Sequence, residues 1–274
     1  MPTVVRVSAL PLLHVVSTFG KYLFPLRVLV AMSLIRLLPK IYEIITLGSM
    51  DTNLFVRTMQ CLPRHFFVDH VKKLCLSISV NARQAESILS VCSGVTDLAF
   101  WVDYLRATPS RSQAIVPIIS TLPLRRLSIE LEHFIFLFSE PSINHSWCGG
   151  LTHLDLRFWK HTTSPVIPYL DRLPSLTYLS LRLQHSQACE ASLLNILSAC
   201  RTLRILIIYY DQSESVEELV WSTDPRVIYL PYPPNVIQDW ESQAREEMSC
   251  DWFWAEELIE KHMERESLCP VPSF

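Results

Sequence analysis

The chain reads as an α/β protein made by stacking copies of one short unit, and three observations predict this. A six-residue motif with apolar residues at positions 1, 4 and 6 returns at similar intervals along the chain. Segments with helical apolar spacing fall between successive copies. Several of those segments close on Pro or Cys just before the next copy. Proline there ends a helix, because it removes a donor and restricts the residue before it.

The copies are "VKKLCL" at Val71, "VTDLAF" at Val95, "LRRLSI" at Leu124, "LTHLDL" at Leu151, "LTYLSL" at Leu176, "LRILII" at Leu203 and a weaker "VIYLPY" at Val227. The intervals are 24, 29, 27, 25, 27 and 24 residues, within or at the edge of the 20–29 residues of leucine-rich repeats. Positions 4 and 6 alternate inward along a short strand, and position 1 packs inward at the turn before it. Between copies, "ARQAESILSVC", "SQAIVPIISTLP", "TSPVIPYLDRLP" and "EASLLNILSAC" read as short helices. No copy buries its apolar face alone, so neighbours complete the core. The fold expected is a leucine-rich-repeat solenoid, with parallel strands on the concave face and helices on the convex face. At position 9, where such repeats often carry Asn or Cys, stand Ser79, Asp103, Glu132, Trp159, Gln184 and Asp211, which predicts irregular repeats.

The expected organisation is a helical N-terminal segment over 1–53, repeats over 54–233, and a C-terminal cap and tail over 234–274. "VSALPLLHVVSTFG" (Val7–Gly20) is uncharged and follows Arg6, but no small-residue cleavage site ends it. It reads as helical core, with a leader or membrane anchor as the lesser alternative. No uncharged stretch reaches the roughly 18–20 residues that span a bilayer. From Asp239 to Glu266 the spacing predicts one amphipathic helix. Trp240, Ala244, Trp252, Ala255, Leu258, Ile259 and Met263 form its apolar side, and Glu246, Glu247, Glu256, Glu257 and Glu260 the other. A solenoid end exposes its core, so this helix is expected to cap it.

Composition narrows the function. The chain of 274 residues is 49% hydrophobic and has a net charge of −3. No basic block favours nucleic acid. Only five glycines are present, which argues against glycine-rich phosphate loops, and no nucleophile-elbow, Walker, His-Glu-x-x-His or zinc spacing occurs. No catalytic, cofactor-binding or metal-ligating residue is assigned. His145 or His153 with Cys148 is the nearest thing to a base–nucleophile pair, and the closeness reads as incidental. The eight cysteines form no Cys-x-x-Cys pair and sit in apolar runs. This predicts buried free thiols and an intracellular, cytoplasmic or nuclear, protein.

The stretch "LFVRTMQCLPRHFFVDHVKKLCLSI" (Leu54–Ile78) and the ending "DPRVIYLPYPPNVIQDWESQAREEMSCDWFWAEELIEKH" (Asp224–His262) resemble the first repeat and the tryptophan-bearing close of F-box/leucine-rich-repeat proteins of mushroom-forming fungi. "LPLLHVVSTFGKYLFPL" (Leu10–Leu26) resembles the last part of an F-box, with Leu13 where an acidic residue is usual. The resemblance implies a truncated or degenerate F-box and a non-catalytic substrate receptor of a cullin–RING ubiquitin ligase. Its N-terminal segment would meet the adaptor subunit of the ligase. A stand-alone repeat scaffold without the ligase link is the first alternative, and an enzyme with a cryptic site the second.

Strand positions 3, 5 and 7 would face the concave side and meet a protein ligand. The binding strip expected is Trp101, Arg126, Glu130, His153, Asp155, Arg157, Tyr178, Arg182 and Tyr209. His153, near Asp155, is expected to titrate close to neutral pH. Asp155 and Arg157 could pair along their strand. Reversing Arg157 and Arg182 to Glu is expected to abolish binding without unfolding the chain. Ile205 and Ile207 occupy the same positions in the sixth copy, and the C-terminal tail is expected to cover them.

Overall fold

Position 1 of the first six copies is buried in every case, at Val71, Val95, Leu124, Leu151, Leu176 and Leu203, and positions 4 and 6 are buried beside it. The odd spacing is therefore that of a turn followed by a half-strand. The computed structural model describes residues 37–105, 109–139, 143–158, 166–183, 190–210, 224–246 and 250–268. They fall into two units, Met1–Pro123 and Leu124–Phe274. The chain is α/β, and the strands within each unit pair in parallel. Parallel neighbours need a crossover, which the intervening segments supply.

In the first unit, helical residues 37–43 lead into β1 (Ile44–Leu47). Then come α1 (Ser49–Cys61), α2 (Arg64–His70), β2 (Lys73–Leu76), α3 (Ala82–Val91), β3 (Asp97–Phe100) and α4 (Pro109–Thr121). The register aligns Ile45, Leu74 and Leu98, and then Leu47, Leu76 and Phe100. β1 corrects the expectation of a purely helical stretch before residue 54. "YEIITL" carries the same 1-4-6 pattern, with Tyr42, Ile45 and Leu47 all buried. Tyr at position 1 hid it. α1 also runs across the expected boundary at 53/54. Tyr42 packs against Phe66 at 5.3 Å, and Phe55 against Phe67 at 5.7 Å, edge to face in both pairs. Asn81 starts α3 by accepting from the Gln84 N–H at 3.0 Å. Gly94 lies in the turn before β3, where a Cβ would come 2.0 Å from the Val68 carbonyl oxygen.

The second unit contains β4 (Arg126–Glu130), α5 (Leu131–Leu137), β5 (His153–Phe158), a 3-10 turn (Leu170–Arg172), β6 (Tyr178–Leu183), α6 (Glu190–Ala199), β7 (Ile205–Tyr210), β8 (Val227–Pro231), α7 (Val236–Ala244) and α8 (Asp251–Leu268). Its strands lie in chain order, β4-β5-β6-β7-β8. Leu127, Leu154, Leu179 and Leu206 form one apolar ladder, and Ile129, Leu156, Leu181 and Ile208 the next. All eight are buried, each contributing roughly 1.5–3 kcal/mol relative to exposure.

Three expectations need correction here. "TSPVIPYLDRLP" yields only the single 3-10 turn among its described residues. Pro168 bars Ile167 from helical backbone, and Tyr169 enters the turn with φ 67°. The seventh copy is shifted by three, because Val227 pairs with Leu206, the position-4 residue of its neighbour. Asp224 thus takes position 1, where its carboxylate holds the Arg226 guanidinium at 2.8 and 2.9 Å. The tail is two helices rather than one, with Glu246 in the left-handed region at φ 56° after α7. The F-box-like stretch Leu10–Leu26, Trp159, Gln184, Asp211, Glu247 and the Met263 side chain lie outside the described residues.

Candidate functional site

The apolar ladders of the second unit use one side of its strands, so the alternate residues share the other. The register makes three rows of them. Arg126, His153, Tyr178 and Ile205 form the first, and Ser128, Asp155, Ser180 and Ile207 the second. Glu130, Arg157, Arg182 and Tyr209 form the third. Seven of the nine strip residues besides Trp101 and Tyr209 thus lie on three adjacent strands, with Tyr209 on the fourth.

Asp155 is the hub. It accepts from the Ser128 hydroxyl at 2.6 Å, the Ser180 hydroxyl at 2.5 Å and Arg182 Nε at 3.0 Å. Burial alone would raise its pKa, but Arg182, both serines and Arg157 outweigh that and hold the carboxyl below its ordinary range. Arg182 pairs with it from the neighbouring strand at 3.0 Å, and Arg157 on its own strand adds a further favourable charge. Arg182 is 2% exposed. It donates from Nη2 to Asp239 at 2.6 Å and stacks over the Tyr209 ring at 4.3 Å. Burial disfavours its charge, but Asp155, Tyr209 and Asp239 reverse this and raise its pKa well above the usual value.

His153 lies flat on Tyr178, with ring centroids 4.2 Å apart, and Arg126 Nη2 meets its Nε2 at 3.2 Å. Arginine only donates, so Nε2 accepts and Nδ1 carries the proton. That proton points to the Thr152 hydroxyl at 2.9 Å, which in turn donates to the Arg125 carbonyl. Burial and then the Arg126 charge push the imidazole down to about 3. The expectation of titration near neutral pH is thus corrected: Asp155 turns to Arg182, and His153 stays neutral.

The C-terminal helices lie on this strip. Arg126 Nη1 donates to the Gln243 carbonyl at 2.8 Å, Tyr209 to Asp251 at 2.6 Å, and Tyr178 to Glu256. The Trp252 ring stands edge-on to both His153 and Tyr178, at 5.6 Å from each. Ile205, Ile207, Tyr209 and Leu230 pack with Cys250, Trp252 and Ala255. The tail does cover Ile205 and Ile207, as the sequence predicts. Burial is the main influence raising the Asp251 pKa, with Asp239 and Asp155 adding to it.

The strip is thus assembled but not open. Arg157, Arg182 and Tyr209 are buried, while Arg126, Glu130, His153, Asp155 and Tyr178 keep partial exposure. Glu130 sits 3.4 Å from His133 at the start of α5. Trp101 belongs to the first unit, directly after β3, where it is 7% exposed and its N–H bonds the Leu76 carbonyl. The double reversal of Arg157 and Arg182 to Glu would therefore place two carboxylates in buried positions and unfold the unit. Sequence reasoning left out Ser128, Ser180, Asp239, Gln243, Asp251 and Trp252 as members of the site. The signal for the last four was the pair Ile205 and Ile207, which required a cover, together with Asp239 and Gln243 one helical turn apart. Glu256, expected on the solvent side of the tail, faces Tyr178 instead.

The remaining chemistry is quiet. Burial lowers the His145 pKa and pushes the Cys148 thiol up to about 11, so this pair offers neither a strong base nor a thiolate. The six described cysteines are free, with Cys75, Cys92, Cys200 and Cys250 buried and Cys61 exposed. Among the described residues no group of His, Cys, Asp and Glu is placed to hold a metal ion, and no helix is long and apolar enough to cross a membrane. No protein-family model matches this chain, and no curated protein matches it at a significant level.

Proposed function

We propose that this chain is a protein-recognition module of the leucine-rich-repeat kind, a curved solenoid that binds a protein through its strand face and performs no chemistry on it. The observation that carries this reading is the strip itself. A row of charged and aromatic side chains on parallel strands holds a helical segment, the chain's own tail, by ion pairs, hydrogen bonds and ring contacts. Arg and Tyr are the residue types that most often dominate protein interfaces. The resemblance of Leu10–Leu26 to the end of an F-box supports a role as the substrate receptor of a cullin–RING ubiquitin ligase, inside the cell, with the adaptor subunit held by the N-terminal segment.

The test is a pull-down with purified adaptor subunit, comparing the full chain with a chain starting at residue 37. That control keeps β1 and its pairing with β2; a chain starting at 54 would lose both. The expected result is adaptor bound by the full chain only. Absence of binding by either would overturn the ligase reading.

A further inference from the structure

The strip of the second unit is filled by a segment whose chemistry is specific. The tail sets three carboxylates, Asp239, Asp251 and Glu256, and one indole, Trp252, against Arg182, Tyr209 and Tyr178. We propose that this strip is a docking groove for an acidic, tryptophan-bearing helix of a partner protein, and that α7 and α8 hold it in cis until such a helix replaces them. The inference rests on the recognition reading above and names the partner's chemistry.

Three features argue for a replaceable occupant. A cap that only seals a repeat end needs apolar cover, as Ile205, Ile207 and Leu230 receive from Trp252 and Ala255. Over β5 and β6 the contact adds the Arg182–Asp239 ion pair and the Tyr178–Glu256 hydrogen bond to the Trp252 ring edge, and a buried ion pair gains little over a well-packed apolar substitute. What it adds is selection for an acidic partner surface. Second, the cis occupant leaves a donor unused. Arg182 Nη1 is buried and has no hydrogen-bond partner among the described residues, so a helix bringing one more acceptor would satisfy it. Third, the two helices of the tail are capped and tied to each other. Asn235 starts α7 by accepting from the Ile237 and Gln238 N–H groups, each at 3.1 Å. Trp252 Nε1 donates to Gln243 at 2.9 Å, tying α8 to α7. The link to β8 contains Pro233 and Pro234, which offer no N–H to the sheet.

Hydrogen exchange on the full chain, with a labelled synthetic peptide of residues 236–268 as probe, tests the proposal. Amides of α7 and α8 are expected to exchange at least about ten-fold faster than those of β5–β7, as a locally opening segment does. The full chain carrying Asp239→Asn and Asp251→Asn should bind the peptide at least about ten-fold more tightly than wild type, because its groove is open a larger fraction of the time. A peptide with the same two substitutions should not bind. If the double variant does not fold, Glu256→Gln provides the milder loosening. Exchange of the tail at the rate of β5–β7 would overturn the proposal, as would failure of the acidic peptide to bind a loosened, folded chain. A concentration-dependent dimer that excludes the peptide would assign the groove to a second copy and overturn it as well. The adaptor pull-down is read separately, so its failure leaves these outcomes standing.

Discussion

Two halves of one sheet face meet the same tail in opposite ways. Over β5 and β6 the face offers His153, Asp155, Tyr178 and Arg182, and the tail answers with Asp239, Glu256 and a tryptophan edge. Over β7 and β8 the face offers mainly Ile205, Ile207 and Leu230, and the tail answers with Trp252, Ala255 and Cys250 beside the Tyr209–Asp251 hydrogen bond. The backbone pairing is parallel and continuous across both halves. The difference is therefore side-chain chemistry alone. The apolar half supplies non-directional attraction. The polar half sets where the helices sit, because each ion pair and hydrogen bond tolerates little displacement.

The largest effect is expected at Arg182. Arg182→Ala leaves Asp155 and Asp239 without their shared cation, and a loss of about 3–5 kcal/mol is expected from breaking a buried pair. Urea unfolding of the purified variant measures it; a loss below about 1 kcal/mol would mean water replaces the guanidinium freely. On the apolar side, Trp252→Ala should cost about 3 kcal/mol through lost burial and the cavity left behind. It should also raise tail exchange, readable in the same denaturant and exchange experiments.

A pH series separates the halves without mutation. The His153 pKa is lowered, from an ordinary 6.5 to about 3, so the unfolded chain binds this proton more readily than the folded one. The resulting stability is complete above about pH 6.5 and is lost as pH falls toward about 3. The Asp155 pKa is also lowered, so its contribution is lost in the same direction, below the usual carboxylate range. Asp251 is raised and acts in the opposite sense. Stability is expected to fall between pH 6.5 and 4, with a slope of up to about 1.4 kcal/mol per pH unit. His153→Gln should reduce it, leaving the part that comes from the lowered His145, and an unchanged slope in that variant would assign the effect elsewhere. The smallest effect is expected outside the strip. Lys261→Ala removes an exposed pair with Glu257 on α8 and should change stability by less than about 0.5 kcal/mol.

Much of the fold was legible because a repeated 1-4-6 pattern has one economical solution. Apolar residues at the turn and on one side of each strand must meet their counterparts in the next copy. The reading failed where that pattern was masked. At β1 a tyrosine stands at position 1. At β8 an Asp224–Arg226 pair takes the place of an apolar residue, so the motif was read three residues late. Of the strip, the strand positions were legible because side chains alternate. Their exposure was not, since nothing local to His153 or Arg182 announces a helix arriving from residues 236–268.

The parallel α/β repeat, the buried ladders and the need to cover Ile205 and Ile207 could be read from the chain alone, because they follow from spacing and apolarity within a few tens of residues. That Asp155 meets Arg182 across the strand pair, that His153 is held neutral, and that the chain's own tail covers the strip came only from the packing of distant segments. Those outcomes depend on which distant groups share a desolvated space. There, burial and the nearest charge set the protonation state more strongly than the neighbours along the chain do.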